Sequence, residues 1–414
     1  MRGLIVLLFL FIARPLPAQI KYIPVAEAKL LGGQSFFEQK DTSVDGNFSF
    51  RFTPSIAFSD KSTLIPTLSS DYRTIFTVEE LAGGGFLIQK IWENLATVKW
   101  VRQLGEGPYS IKPKASGKLA YYNEAKGETF GTGLFDYEKF SGGVELERKG
   151  QRLLSQRLEL AYYTVRFPNY QALSSQQFGA EIKSGTRVLD FDAMDASYSL
   201  DVAVAEKTIA YGAFLISARP YPDQFIVKDT GLFETTKRKD AYWLAAAGCH
   251  QGLGEYDWGG VALKPIASLA ASYSMLDSNQ NSYDAVKTFF INNYYDYDEL
   301  ALSPSMTFLF DKNQRLNLGY TGIVRRYDTR LVQDKDGNYH DGTSGRPNEI
   351  IAATTHNVNL GYTYMFPEMS WGRLSATAQG TLRQASSNML YELTYRYNYD
   401  SAYYFAGVSW EFAK

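Results

Sequence analysis

Residues 357 to 366 read NVNLGYTYMF. Val358, Leu360, Tyr362, Tyr364 and Phe366 share one parity, and Asn357, Asn359, Gly361 and Thr363 share the other. Successive side chains of a β-strand point to opposite faces, so this stretch makes a strand with one apolar and one polar face. A helix would instead repeat near 3.6 residues. The pattern recurs along the chain. In 47–58, Phe48, Phe50, Phe52, Ile56 and Phe58 oppose Asn47, Ser49, Arg51 and Thr53. In 299–310, Leu300, Leu302, Met306, Phe308 and Phe310 oppose Glu299, Ser303, Ser305 and Thr307.

Strands are predicted near 25–36, 46–59, 62–76, 96–104, 111–123, 137–148, 154–167, 188–204, 207–220, 239–250, 259–275, 298–310, 314–328, 352–366, 370–385 and 402–412. After the first strand, the connections alternate long and short. Short ones fall at 59–61, 149–152, 206–207, 311–313 and 367–369; long ones fall at 78–95, 168–186, 221–239, 276–297, 330–351 and 386–401. A transmembrane barrel sorts its loops in this way, with short turns at one rim and long loops at the other. A soluble β-sandwich has no reason to. The fold expected is all-β: a single antiparallel up-and-down transmembrane β-barrel of about 16 strands, within a range of about 14–18.

Composition agrees. The 414 residues are 45% hydrophobic and 15% aromatic, with 30 Tyr and 34 Gly. Mean hydropathy is nonetheless −0.25. That excludes a polytopic helical membrane protein and a disordered chain. With 42 basic and 44 acidic residues, a net charge of −2 gives no nucleic-acid footprint. The single cysteine, Cys249, excludes an internal disulfide.

The polar face carries Lys112, Lys114, Lys118, Glu145, Glu147, Arg157, Glu159, Asp201, Arg315, Arg325, Arg373 and Arg383, the candidate pore-lining residues. Charges of both signs are too costly for a dry core and tolerable against water. About sixteen strands leave an aqueous channel, whereas eight would be filled by side chains. The expected function is passive diffusion of small polar solutes through that lumen, with mixed signs giving weak ion selectivity. The alternative is a non-conducting or gated barrel for export, surface assembly or adhesion, working with a periplasmic partner.

Residues 1–19 read MRGLIVLLFLFIARPLPAQ, a basic start, an apolar run of about ten residues and a small residue at Ala18. The run is too short to span a bilayer, which takes about 20 residues. Residues 1–18 are therefore expected to be a signal peptide and 19–414 the barrel, exported to the outer membrane of a Gram-negative-type bacterium.

The last predicted strand, YYFAGVSWEF over 403–412, places Tyr404, Val408, Trp410 and Phe412 on the lipid face. It resembles the C-terminal strand of bacterial outer-membrane β-barrel proteins, which ends in an aromatic residue. The departure is that Ala413 and Lys414 follow Phe412. The resemblance is porin-like, matches no substrate-defined family, and implies the barrel-assembly machinery as a biogenesis partner beside the outer-membrane lipids. A homo-oligomer is left open.

No catalytic residue, metal or cofactor is expected. Cys249 and His250 are adjacent and point to opposite strand faces, which suits no shared ion. His356 beside a serine such as Ser375 would be a hydrolase pair, yet no diagnostic motif surrounds either. The loop 333–348, QDKDGNYHDGTSGRPN, offers oxygens from Asp334 to Asp341, but it lacks the closing ligands of a calcium loop and reads as turn chemistry. The connection from Val78 to Asn94, VEELAGGGFLIQKIWEN, has two readings. It folds inward and narrows the pore, or it extends its flanking strands as a tall hairpin.

Overall fold

A computed structural model describes residues 20–38, 41–81, 84–123, 128–150, 153–170, 187–343, 345–392 and 396–413. The signal-peptide reading lies outside these residues. Among them, sixteen long strands form one antiparallel sheet. They are β1 (Val25–Phe37), β2 (Asp41–Phe52), β3 (Ser62–Leu81), β4 (Gly84–Gln103), β5 (Tyr109–Asn123), β6 (Tyr137–Lys149), β7 (Leu153–Arg166) and β8 (Phe191–Ala205). The remainder are β9 (Thr208–Val227), β10 (Phe233–Gly252), β11 (Val261–Ser278), β12 (Tyr297–Phe310), β13 (Gln314–Leu331), β14 (Ile350–Met365), β15 (Arg373–Ser387) and β16 (Tyr399–Ala413). Each pairs with the next. The last pairs with the first, in a continuous register from Val25↔Ala413 to Phe37↔Ser401. The sheet is closed and has no long free edge, which satisfies backbone groups without water.

The strands sit where the alternation placed them, with two corrections. Residues 78–95 and 221–239 are not long loops. β3 and β4 run on to Leu81↔Gly84, so the 78–94 segment is the tall hairpin, not a separate inward-folded loop. β9 and β10 likewise continue to Val227↔Phe233. The reason is backbone accounting: a ladder pairs N–H and C=O groups that a loop would leave to solvent. Three short segments, Lys21–Ile23, Ser55–Ser59 and Tyr256–Trp258, extend the sheet at the end that carries both described termini.

The outward face is apolar. Leu30, Leu68, Leu160, Phe214, Leu269, Leu302, Leu318, Val358, Leu382 and Val408 are all exposed and all on the outward parity of their strands. A water-soluble monomer rarely exposes an apolar patch beyond a few hundred Å². Trp92 and Trp100 lie on the same face of β4, eight residues apart. At about 3.3 Å per residue and a tilt near 40°, that spacing spans about 20 Å along the membrane normal, close to the height of an apolar band bounded by aromatic girdles. On β16, Tyr404 and Val408 are exposed outward as predicted, and Trp410 and Phe412 stack at 6.1 Å.

Candidate functional site: the inner wall and the narrowed mouth

The inner wall of β4 to β8 is a ladder of ion pairs joining the predicted residues across strands. Lys112 reaches Glu145 at 2.6 Å and Glu147 at 2.9 Å. Lys114 meets Glu159 at 2.6 Å, and Arg157 meets Asp201 at 2.9 Å. Lys118 meets Glu93 at 2.6 Å, and Glu93 also receives Arg73 at 2.9 Å. Glu93 was missed in the sequence because it lies in the stretch read as a connection. The signal that would have found it is Lys118, an inward cation with no acid facing it from β6. Such cross-strand pairs contribute about 0.2–1 kcal/mol each, and they cancel much of the local field.

The facing wall, β11 to β15, differs. Its inward positions are mainly Ser303, Ser305, Thr307, Asn317, Asn359 and Thr381, linked by hydrogen bonds such as Thr381 Oγ1 to Asn359 Oδ1 at 2.7 Å. Arg315, Arg325 and Arg383 stand on this wall. Arg325 pairs with Glu299 at 2.7 Å, and Arg373 sits at the termini end beside Glu368 at 3.2 Å.

Toward the loop end, connecting segments fold against the inward face. Val188 and Leu189 pack on Tyr163, Val165 and Ala193, with Phe135 and Tyr170 against them. Val332, Met389 and Tyr397 pack on Tyr327 and Ile351. Phe37 and Tyr399 meet at 5.5 Å. Tyr163, Val165, Tyr327, Ile351, Phe37 and Tyr399 all have inward parity, so these clusters narrow the mouth from within. Polar staples hold the segments. Asp136 accepts N–H bonds from Tyr122 at 2.8 Å and Gly133 at 3.1 Å, and Asp190 accepts from Phe167 at 2.8 Å.

The connection 279–296 is clamped by aromatic and charged groups. The Arg238 guanidinium lies between the rings of Tyr221 and Tyr295, at 4.3 and 4.0 Å, and grips Asp240 with both arms at 2.8 and 2.6 Å. Asp296 accepts the Ser278 N–H at 2.5 Å. Burial, aided by Asp277, Asp328 and Asp240, pushes the Asp296 carboxyl up to about 6. A carboxyl with a raised folded-state pKa stabilises fully below its unfolded value near 4 and loses that contribution as pH rises through about 6. The clamp is therefore expected to loosen by about 1–2 kcal/mol between pH 4 and 7, discounted for solvent at the rim. Asp296→Asn should abolish that pH dependence, read as protease nicking of 279–296 relative to the wild type at each pH. A wild-type slope retained in the variant would place the titration elsewhere.

The other candidates resolve by position. His250 stacks on Tyr211 at 5.2 Å and bonds Ser268 at 2.8 Å on the inner face, opposite Cys249. His356 lies on the outer face with Tyr320 Oη at 2.6 Å. Ser375 pairs with Met365 while His356 pairs with Gln384, so the two are not brought together. Asp334 accepts from the amides of Asp336 and Asn338 at 3.0 and 2.9 Å and meets Arg346, while Asp341 caps Thr343. Those carboxylates serve the turns of their own loop, with Gly337 and Gly342 at φ 75 and 83.

No protein-family model and no curated protein matches the chain. Among solved structures it is similar to Pseudomonas aeruginosa OccD3 (OpdP), at 9% identity and a TM-score of 0.44, covering 97% of this chain and 96% of that one. It is similar to the trimer form of OmpT, an outer membrane protein of Vibrio cholerae, at 11% identity and 0.41, covering 95% and 99%. A third likeness, at 10% identity and 0.44, is to the copper transporter OprC, covering 96% of this chain and 61% of that one. Likenesses this distant carry no weight of their own, and the barrel rests on its own closing register.

Proposed function

We propose that the chain is an outer-membrane channel that passes small polar solutes by passive diffusion. The observation that carries this reading is the division of one closed sheet into an outward apolar face and an inward ion-paired, hydrogen-bonded face. Lipid solvates the first and water the second, so a polar solute crosses without shedding its hydration into hydrocarbon. Lys112, Lys114, Lys118 and Arg157 on the β4–β8 wall are paired with carboxylates, so long-range selectivity is weak. The protein acts as a conduit, with no catalytic step and no cofactor. Its partners are outer-membrane lipids, the barrel-assembly machinery during biogenesis, and the solutes. The end bearing the termini and short turns faces the periplasm, after export by residues 1–18.

The aromatic clusters at the mouth favour a second reading, a gated or non-conducting barrel that opens with a periplasmic partner. Liposome swelling separates the two. Purified protein is expected to admit uncharged sugars with rates that fall with solute size. Impermeability to even the smallest sugar would overturn the open channel and favour the gate.

A further inference from the structure

We propose that the inner wall carries a binding subsite for an uncharged polyhydroxylated ring, a simple sugar, built on Asn317, Asn359, Gln379 and Tyr403. The subsite names a solute class for the channel reading and rests on it for the ligand's route, though binding itself needs no conduction. Two adjacent cross-strand rows make it. One runs Ser305↔Gly319↔Asn359↔Thr381↔Tyr403 from β12 to β16, and the next runs Thr307↔Asn317↔Gly361↔Gln379 from β12 to β15. Gly319 and Gly361 stand diagonally, one in each row, and give the wall no side chain there. A depression of about 350 Å³ opens over them, behind the lipid-facing Leu318 and Leu360. A Cβ at Gly319 or at Gly361 would meet its first neighbour only at 3.9 Å, so the space is open. None of the described residues lining the depression is charged.

The polar groups are oriented before a ligand arrives. Thr307 Oγ1 donates to Asn317 Oδ1 at 2.9 Å, and Thr381 Oγ1 donates to Asn359 Oδ1 at 2.7 Å. Lys29 Nζ, from β1, donates to Gln379 Oε1 at 3.0 Å. Each amide oxygen is thereby engaged, and among the described residues no acceptor takes the three amide NH2 groups, which are left to the lumen. An amide NH2 offers two donors, and the hydroxyls of Ser305, Thr307 and Thr381 keep lone pairs that accept. Sugar hydroxyls use both roles around one ring and ask for no counter-charge. An ammonium entering here would shed water with no lining carboxylate to meet it, and a carboxylate would find Lys29 already turned to Gln379. Tyr403 closes the β16 side with an amphipathic ring, against which the C–H face of a sugar packs. The volume equals about twelve waters, room for one six-membered ring with its hydroxyls.

The test uses the full chain folded in detergent and saturation-transfer NMR with methyl β-glucopyranoside and its charged analogue, methyl β-glucuronide. Transfer to the neutral glucoside is expected to exceed that to the glucuronide by about threefold. Gly319→Val with Gly361→Val fills the depression with strand-favouring side chains that meet no backbone, and should remove the transfer. Ser199→Val, a like branch on the inward face of β8, should keep it. If the double valine variant does not fold, Asn317→Ala with Asn359→Ala should weaken glucoside binding about tenfold, two neutral hydrogen bonds' worth. Equal or stronger transfer to the glucuronide, wild-type transfer in the folded double valine or double alanine variant, or equal loss in Ser199→Val would each overturn the proposal. A swelling-competent protein without glucoside transfer refutes the subsite alone. A barrel that shows the transfer but no swelling refutes the open channel alone.

Discussion

Leu360→Arg is expected to destabilise the barrel by about 2–4 kcal/mol, while Asn359→Arg beside it leaves folding intact. Leu360 is 52% exposed on the outward face of β14, in register with Leu318 and Gly380. It lies well inside the girdle marked by Trp410 and Trp371, so a guanidinium there must leave water for hydrocarbon. Asn359 faces inward and already bonds Thr381. A charge at that position meets solvent and neighbouring hydroxyls. Urea unfolding in lipid vesicles measures the difference. Equal costs at the two positions would remove the two-solvent division on which the function rests.

Gly407→Val is expected to prevent stable closure, at a cost of at least about 4 kcal/mol. Gly407 sits on the seam where β16 meets β1, and a Cβ there would lie 2.0 Å from the Leu30 carbonyl oxygen and 2.8 Å from the Leu31 Cα. Gly33, across the seam, is equally crowded: its Cβ would lie 2.0 Å from the Tyr404 carbonyl oxygen and 2.7 Å from the ring of Phe405. The obstacles at Gly407 are backbone, so nothing swings aside. Forcing the seam apart frees two edges whose N–H and C=O groups find no partner in lipid. The measurement is heat-modifiable mobility in detergent gels, with Gly407→Ala expected to fold in lower yield. A Val variant with wild-type yield and midpoint would contradict the tight seam.

Period-two patterning made the sixteen strands legible, because lipid on one side and water on the other impose opposite chemistry on adjacent residues. It failed where that contrast lapses. Residues 84–95, GGFLIQKIWENL, do not alternate cleanly, and 221–239 brings Lys237, Arg238 and Lys239 into a hairpin top. Strands that rise beyond the apolar band need no apolar face, so their pairing leaves no periodic mark. The pore-lining residues were legible by parity, and their pairing followed from register. Glu93 was not, since it lies in a stretch where the alternation lapses. Nor were the mouth clusters, because the contact of Val332 and Met389 with Tyr327 depends on how loops return to the wall.

Thiol labelling along β14 tests the alternating inner and outer faces most directly. Single cysteines at 355 to 362, placed in a Cys249→Ala background, would be treated in proteoliposomes with a hydrophilic maleimide. Labelling is expected at Thr355, Asn357, Asn359 and Gly361 and protection at His356, Val358, Leu360 and Tyr362, a period of two along one strand. Uniform labelling, uniform protection or the inverse pattern would contradict a lipid-facing outer surface around a water-filled interior.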